Sequence, residues 1–298
     1  KAFTPRMVER LRDRVQARVD GLVDRIAEAG GGDLVADLAE PLSVTVIADL
    51  LGVPASDRHL LRPWSADICG MYELNPTEEA ARRSVRACVE FSEYLRALVA
   101  ERRRTPRDDL ISALARVVDE GDRLTEGELI GTCVLLLNAG HEATVNSTGL
   151  GWWALFCHPD QLARLRADPG LVPRAVEELL RYDTPLQMFE RWVLEDVEIA
   201  GVAVPKGAEL GLLFGSANRD PAVFPEPDRL DLARPEAASH LSFGAGVHYC
   251  LGAPLGRLEL ELSFGTLLAR LPDMAPAEEP AWKPTYILRG LEALHVTA

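Results

Sequence analysis

The longest helical pattern in the sequence runs from about residue 126 to residue 157, and it opens on a capping box, Thr125-Glu126-Gly127-Glu128. Most of the chain before it follows the same period. Residues 7–29 carry Leu11, Val15, Val19, Leu22, Val23 and Ile26 at helical spacing and stop at Gly30-Gly31-Gly32. Asp33 is placed to cap a second helix over 34–51, which Gly52 and Pro54 end. Helices are expected again over 56–72, 77–104 and 108–118. Beyond Pro159 the texture changes. Two shorter helices, 161–167 and 172–182, precede short strands at 192–194, 197–199, 202–204 and 209–213. Residues 218–235 are dense in Pro and Asp and read as a meander. A last helix is expected over 251–271 and a closing hairpin over 287–296. There is no repeat or linker, and 298 residues allow one large domain or two small ones.

Charge and cysteine usage exclude several function classes. A formal net charge of −14 leaves no basic stripe to neutralise phosphates, which argues against a nucleic-acid partner. The run Glu101-Arg102-Arg103-Arg104 reads as a solvated helix end. No apolar stretch approaches the roughly 20 residues of a membrane span. Five scattered cysteines without a CxxC pair fit a reducing cytoplasm better than a disulfide framework. Lysine occurs only at Lys1, Lys206 and Lys283, an Arg-over-Lys bias that suggests GC-rich bacterial coding.

Chemistry concentrates in Phe243-Gly244-Ala245-Gly246-Val247-His248-Tyr249-Cys250-Leu251-Gly252. A cysteine that holds a metal as thiolate needs backbone N–H groups aimed at sulfur, which glycines permit by close approach and positive φ. A helix N-terminus lowers the thiol pKa, and an apolar neighbour such as Phe243 shields the bond. Taken alone, Cys250 reads as a small core side chain, and the His-x-Cys pair, as half of a zinc site, lacks a second ligand pair at suitable spacing. The full pattern resembles the haem loop of the cytochrome P450 family, Phe-Gly-x-Gly-x-His-x-Cys-x-Gly, and matches it at every fixed position. The soluble bacterial members are the closest in kind.

By that resemblance, Cys250 is the axial iron ligand of haem b, its thiolate pushing electron density toward the iron and favouring O–O cleavage. Phe243, Gly244, Gly246 and Gly252 shape its loop, His248 reaches one propionate, and Arg191 in Phe189-Glu190-Arg191-Trp192 reaches the other. His240 is a further candidate for that neighbourhood. Glu178-Leu179-Leu180-Arg181, an ordinary surface pair by spacing alone, corresponds to the family's buried Glu-x-x-Arg, locked to an arginine of the meander. That arginine is placed at Arg229, in Pro227-Asp228-Arg229-Leu230.

The long helix carries Asn138-Ala139-Gly140-His141-Glu142-Ala143-Thr144 and becomes the oxygen-activation helix. Ala139 and Gly140 would let the macrocycle and O₂ approach, and Glu142 takes the position of the family's acid. The alcohol that usually follows the acid is replaced by Ala143. Thr144 is the nearest hydroxyl, but one residue turns a side chain about 100° around the helix. A water or substrate hydroxyl relaying protons, Thr144 acting through local unwinding, and poor coupling are all open.

The fold implied is mainly α with small β-sheets, a P450 domain over 1–298. The likeness begins at Ala2-Phe3-Thr4-Pro5, so the family's N-terminal β-region and early helices have no counterpart. The function implied is a cytoplasmic haem-thiolate monooxygenase that hydroxylates or epoxidises a small organic, secondary-metabolite-like substrate. It would use O₂ and electrons from a ferredoxin and its reductase, with Arg257 as a docking cation. Asn138, Leu186, Gln187, Met188, Tyr286 and Ile287 are expected to line the pocket, together with parts of 64–74. The rival readings are peroxide-driven oxidation, dehydration or coupling on the same haem, and a haem-poor binding or scaffold relative.

Overall fold

The structure, a computed structural model, describes residues 5–119 and 124–298. All of Ala2-Phe3-Thr4-Pro5 except Pro5 therefore lies outside the described residues. The helices in chain order are α1 (Pro5–Glu9), α2 (Arg12–Ala29), α3 (Glu40–Leu51), α4 (Leu61–Cys69), α5 (Glu78–Arg104), α6 (Leu110–Asp119), α7 (Glu126–Cys157), α8 (Pro159–Ala167), α9 (Val172–Tyr182), α10 (Phe214–Ala217) and α11 (Ala253–Arg270). The strands are β1 (Gly31–Asp33), β2 (Met188–Trp192), β3 (Val197–Ile199), β4 (Val202–Val204), β5 (Glu209–Leu213), β6 (Ala275–Pro276) and β7 (His295–Thr297).

Local chemistry accounts for several boundaries. Thr125 and Glu128 close the capping box of α7 in both directions, at 3.2 and 2.7 Å. Gly30 ends α2 at φ +72°, where its N–H turns back to the carbonyls of Ile26 and Ala27. The Asp33 carboxylate accepts from Val35 N, as a cap should, but the helix it starts is at first a π-helix, Leu34–Ala39. Pro41 has no N–H to give to Asp37, so an α ladder cannot be continued through that turn. The expected helix over 7–29 is split between α1 and α2, yet Val8 and Val15 still enter one core.

Two apolar clusters share α7. Its C-terminal half puts Val145, Leu150, Trp152 and Leu155 among α2, α9 and α11, with Trp152 stacked on Phe264 at 5.1 Å. Its N-terminal half puts Leu129, Ile130, Cys133 and Leu137 against α5 and α6. A helix buried against both clusters fixes the position of everything that packs on it.

The sheets are small and antiparallel: β1-β7-β6, β2-β5 and β3-β4. The strand expected at 192–194 lies earlier, where β2 pairs along β5 from Met188↔Leu213 to Trp192↔Glu209. No hairpin forms over 287–296. Its residues make only isolated bridges, Leu186↔Leu288 and Trp282↔Leu291, before β7 begins. A side chain occupies its backbone donors instead: the Glu73 carboxylate accepts from the N–H groups of Tyr286, Ile287 and Leu288 at 2.8 to 3.4 Å.

The basic run at the end of α5 is not wholly solvated. Arg102 is buried, donating to Asp109 at 2.7 Å and to the Gly52 carbonyl at 2.5 Å. It ties the ends of α3 and α5 together, and a buried guanidinium needs such partners.

Candidate active site

The loop before α11 has the geometry a metal-holding thiolate requires. Gly244 and Gly246 sit at φ +68° and +64°, conformations a side chain would resist. Cys250 N donates to the Phe243 carbonyl at 2.8 Å, closing the loop. Sulfur is half-buried and accepts from the N–H groups of Gly252 and Ala253 at the start of α11. Burial pushes the Cys250 thiol up, while those two donors and Arg257 act in the other direction.

Beside it lie two ion networks, and both differ from expectation. Glu178 and Arg181 are fully buried and bidentate, at 2.7 and 2.8 Å. The third member is Arg234, not Arg229. Arg234 Nε donates to Glu178 Oε1 at 3.1 Å, and its other nitrogens donate to the carbonyls of Pro225, Glu226 and Arg229. The Arg229 side chain points to solvent and pairs only with Glu226, while its carbonyl accepts from Arg181 and Arg234. Arg229 therefore contributes backbone, because the turn ending at Leu230 buries the leucine instead.

The second network was not anticipated. Glu177, one residue before Glu178, takes Arg257 through two hydrogen bonds at 2.5 and 2.9 Å and His240 Nε2 at 3.2 Å. Burial pushes its carboxyl up, but the hydrogen bonds of Arg257 and His240 outweigh that and hold it at about 2. His240 is buried, accepts from Ser242 N on its other nitrogen, and so is not free for a propionate. Arg257 is likewise engaged rather than offered to a partner protein.

Arg191 and His248 are differently placed. Arg191, on β2, donates to the Glu190 carbonyl at 2.7 Å, and His248 is exposed at the end of a 3₁₀ turn. Neither has a carboxylate partner among the described residues, which leaves both for an acidic group of a ligand.

On α7, Leu135 and Ala139 are exposed one turn apart, and Ala143 continues the stripe. Gly140 is not on it: a Cβ there would stand 3.1 Å from Ile47 Cδ1 of α3, so its smallness serves helix packing. Thr144 Oγ1 and Phe243 both lie about 4 Å from where a Gly256 Cβ would stand, so the hydroxyl faces α11 beside the thiol loop. The Glu142 carboxylate is met by Lys283 Nζ at 3.2 Å, and the same nitrogen donates to Asn146 at 3.0 Å. His141 is buried against Ser65, and burial pushes its pKa down. Asn138 Oδ1 and His141 Nε2 are buried without a protein partner.

The other expected pocket residues divide. Ile287 and Met188 are buried, and Met188 sulfur packs on Gly211 of β5. The Gln187 amide donates to the Thr184 carbonyl, so it is not a free polar anchor. Leu186 is half-buried, and Tyr286 is exposed on the loop that Glu73 holds. Sequence reasoning missed Glu73, Glu177, Arg234 and Lys283. Only Lys283 carried a signal, as one of three lysines in an arginine-rich chain.

The residues fit a thiolate-ligated macrocycle. Apolar side chains next to the sulfur are uncovered (Val247 98 %, Leu251 63 %), as is Leu135 of α7 (58 %). Two cationic or polar side chains stand ready for carboxylates, and the sulfur has two N–H donors. Among the described residues, no helix is long and apolar enough to cross a membrane.

The chain is similar along its length to known proteins. The family model for cytochrome P450 matches residues 170–280. Cytochrome P450 107B1 of Saccharopolyspora erythraea is 44 % identical over 300 residues, covering 99 % of this chain and 72 % of the relative. The 6-deoxyerythronolide B hydroxylase of the same organism is 41 % identical over 298 residues, covering 99 % and 72 %. A crystal structure of P450BioI in complex with an acyl carrier protein ligated to hexadec-9Z-enoic acid superposes with a TM-score of 0.95 at 39 % identity, over 100 % of this chain and 76 % of that one.

Proposed function

The chain belongs to the cytochrome P450 family of haem b-binding, O₂-incorporating oxidoreductases, and from that premise we propose that it hydroxylates or epoxidises a small organic substrate of secondary-metabolite or fatty-acyl type, with electrons from a ferredoxin. One observation carries the reading. The half-buried Cys250 thiol accepts from two backbone donors at the start of α11, where Thr144 of α7 and Phe243 of the loop both lie about 4 Å from where a Gly256 Cβ would stand. The names of two relatives support the substrate class, one a hydroxylase of 6-deoxyerythronolide B and one seen with a carrier-bound fatty acid.

Haem b, when bound, supplies the oxygen chemistry. Cys250 would hold the iron as thiolate, and Phe243 would shield the sulfur from water. Arg191 and His248 would bind the two propionates. Ala139 and Ala143 present methyl groups, leaving room for substrate against α7. Glu142 is the acidic group that would relay the proton to be delivered, and Lys283 fixes the direction of its carboxylate. With no hydroxyl at Ala143, and with the Thr144 hydroxyl facing α11, that proton travels through a bound water or a hydroxyl of the substrate. Asn138, with its buried unpartnered oxygen, is the polar anchor for a substrate donor.

A reduced, CO-treated sample tests the assignment. Absorbance at about 450 nm is expected, and Cys250→Ser should abolish it while the protein stays folded. Folded wild-type protein with no Soret band would overturn the assignment and leave the scaffold reading. Ala143 also favours a second reading, peroxide-driven chemistry. Product formed with H₂O₂ but not with reduced ferredoxin would select it.

A further inference from the structure

Arg257 lies on α11, two turns beyond Cys250, and is held on several sides. Its Nε and Nη2 grip Glu177 of α9, and its Nη1 donates to Tyr249 Oη at 3.1 Å. The guanidinium lies 4.5 Å from the centre of the Phe243 ring. Another neighbour of that ring is His240, 5.6 Å away and itself bonded to Glu177. Phe243 and Tyr249 are the residues that bracket the loop, and the Phe243 carbonyl receives the Cys250 N–H. Glu177 therefore reaches both ends of the thiol loop, through His240 on one side and Arg257 on the other.

We propose that the Glu177–Arg257 pair is a positioning device for Cys250, fixing the loop mechanically and setting the potential of the bound haem through a guanidinium held against Phe243 and Tyr249 of that loop. The inference rests on the haem-thiolate reading. Two features separate it from ordinary surface pairing. The contact is bidentate and largely shielded, with Glu177 14 % exposed, so screening is weak. Arg257 is also a cation in contact with both Phe243 and Tyr249 of the loop that carries Cys250. A fixed positive charge near the thiolate favours the reduced, more negative state, and the nearby carboxylate opposes it.

The two partners should therefore move the potential in opposite directions. The test measures the reduction potential, the reduced-CO band and thermal unfolding of haem-loaded wild type, Arg257→Gln, Arg257→Lys and Glu177→Gln. Arg257→Gln is expected to lower the potential and Glu177→Gln to raise it, while Arg257→Lys keeps the charge and stays near wild type. A merely structural pair would lower thermal stability in both and shift both potentials the same way or not at all, and that result overturns the proposal. If one Gln variant does not fold, the sign of the other decides. Loss of the band at about 450 nm in wild type itself would instead overturn the haem-thiolate reading.

Discussion

Arg229 and Arg234 are five residues apart, and burial alone separates their roles. Arg234 sits against a fully buried carboxylate and three carbonyls, so Arg234→Ala leaves all of them short of a donor. Chemical denaturation should show a loss of about 3–5 kcal/mol for that variant. Arg229→Ala, its guanidinium mostly in solvent, should stay within about 0.5 kcal/mol of wild type. Position 143 carries a different prediction. If the proton path runs from Glu142 through water or a substrate hydroxyl, Ala143→Thr adds nothing that path needs. Product formed per NAD(P)H oxidised should then change little, and a several-fold rise would show instead that the native chain couples poorly.

At the scale of elements, the segment after α4 and the chain's C-terminal loop are tied by one side chain. Glu73 gathers three consecutive backbone N–H groups, Tyr286 to Leu288, across 213 to 215 residues of sequence. Charge-assisted bonds of this kind are worth roughly 1.5–3 kcal/mol each when shielded and less in the half-exposed setting here. Glu73→Ala should speed hydrogen exchange at the amides of residues 286–288 while leaving the interior amides of α7 protected. Unchanged exchange at those three amides would mean the tie is not maintained in solution. The same loop carries Lys283 to Glu142, so one segment touches both the covering elements and the acid. The long sequence separation explains why neither contact was legible. Helical period marks a helix's own faces and is silent on which distant loop will meet them.

At the scale of the whole molecule, one buried carboxyl has no cationic partner among the described residues. Glu259 of α11 is fully buried with Ser43 of α3 at 3.3 Å, and burial pushes it up to about 8. The folded state then holds a proton that the unfolded chain releases near 4.5. The contribution of this group to stability is greatest below that lower value, falls as pH rises through the interval, and levels off above about 8. Across that window the loss from this group amounts to about 3–5 kcal/mol. Glu259→Gln, which stays neutral, should flatten the dependence and raise the unfolding midpoint at pH 8 relative to wild type. Equal pH slopes in the two proteins would show that Glu259 is not the group responsible.

Local chemistry was enough to read much of this chain. The capping box of α7, the glycine end of α2, the positive-φ glycines before Cys250 and the Glu178/Arg181 spacing are short-range patterns, and each formed where the residues placed it. What neighbours at long range do was decided by tertiary structure. Packing of α3 claimed Gly140, Glu177 claimed His240 and Arg257, and Glu73 claimed the donors of a would-be hairpin. Arg234 replaced Arg229 because the fold buried one guanidinium and exposed the other. A sequence fixes its turns and helix ends through bonds a few residues apart, but a buried charge finds its partner only when the chain has closed around it.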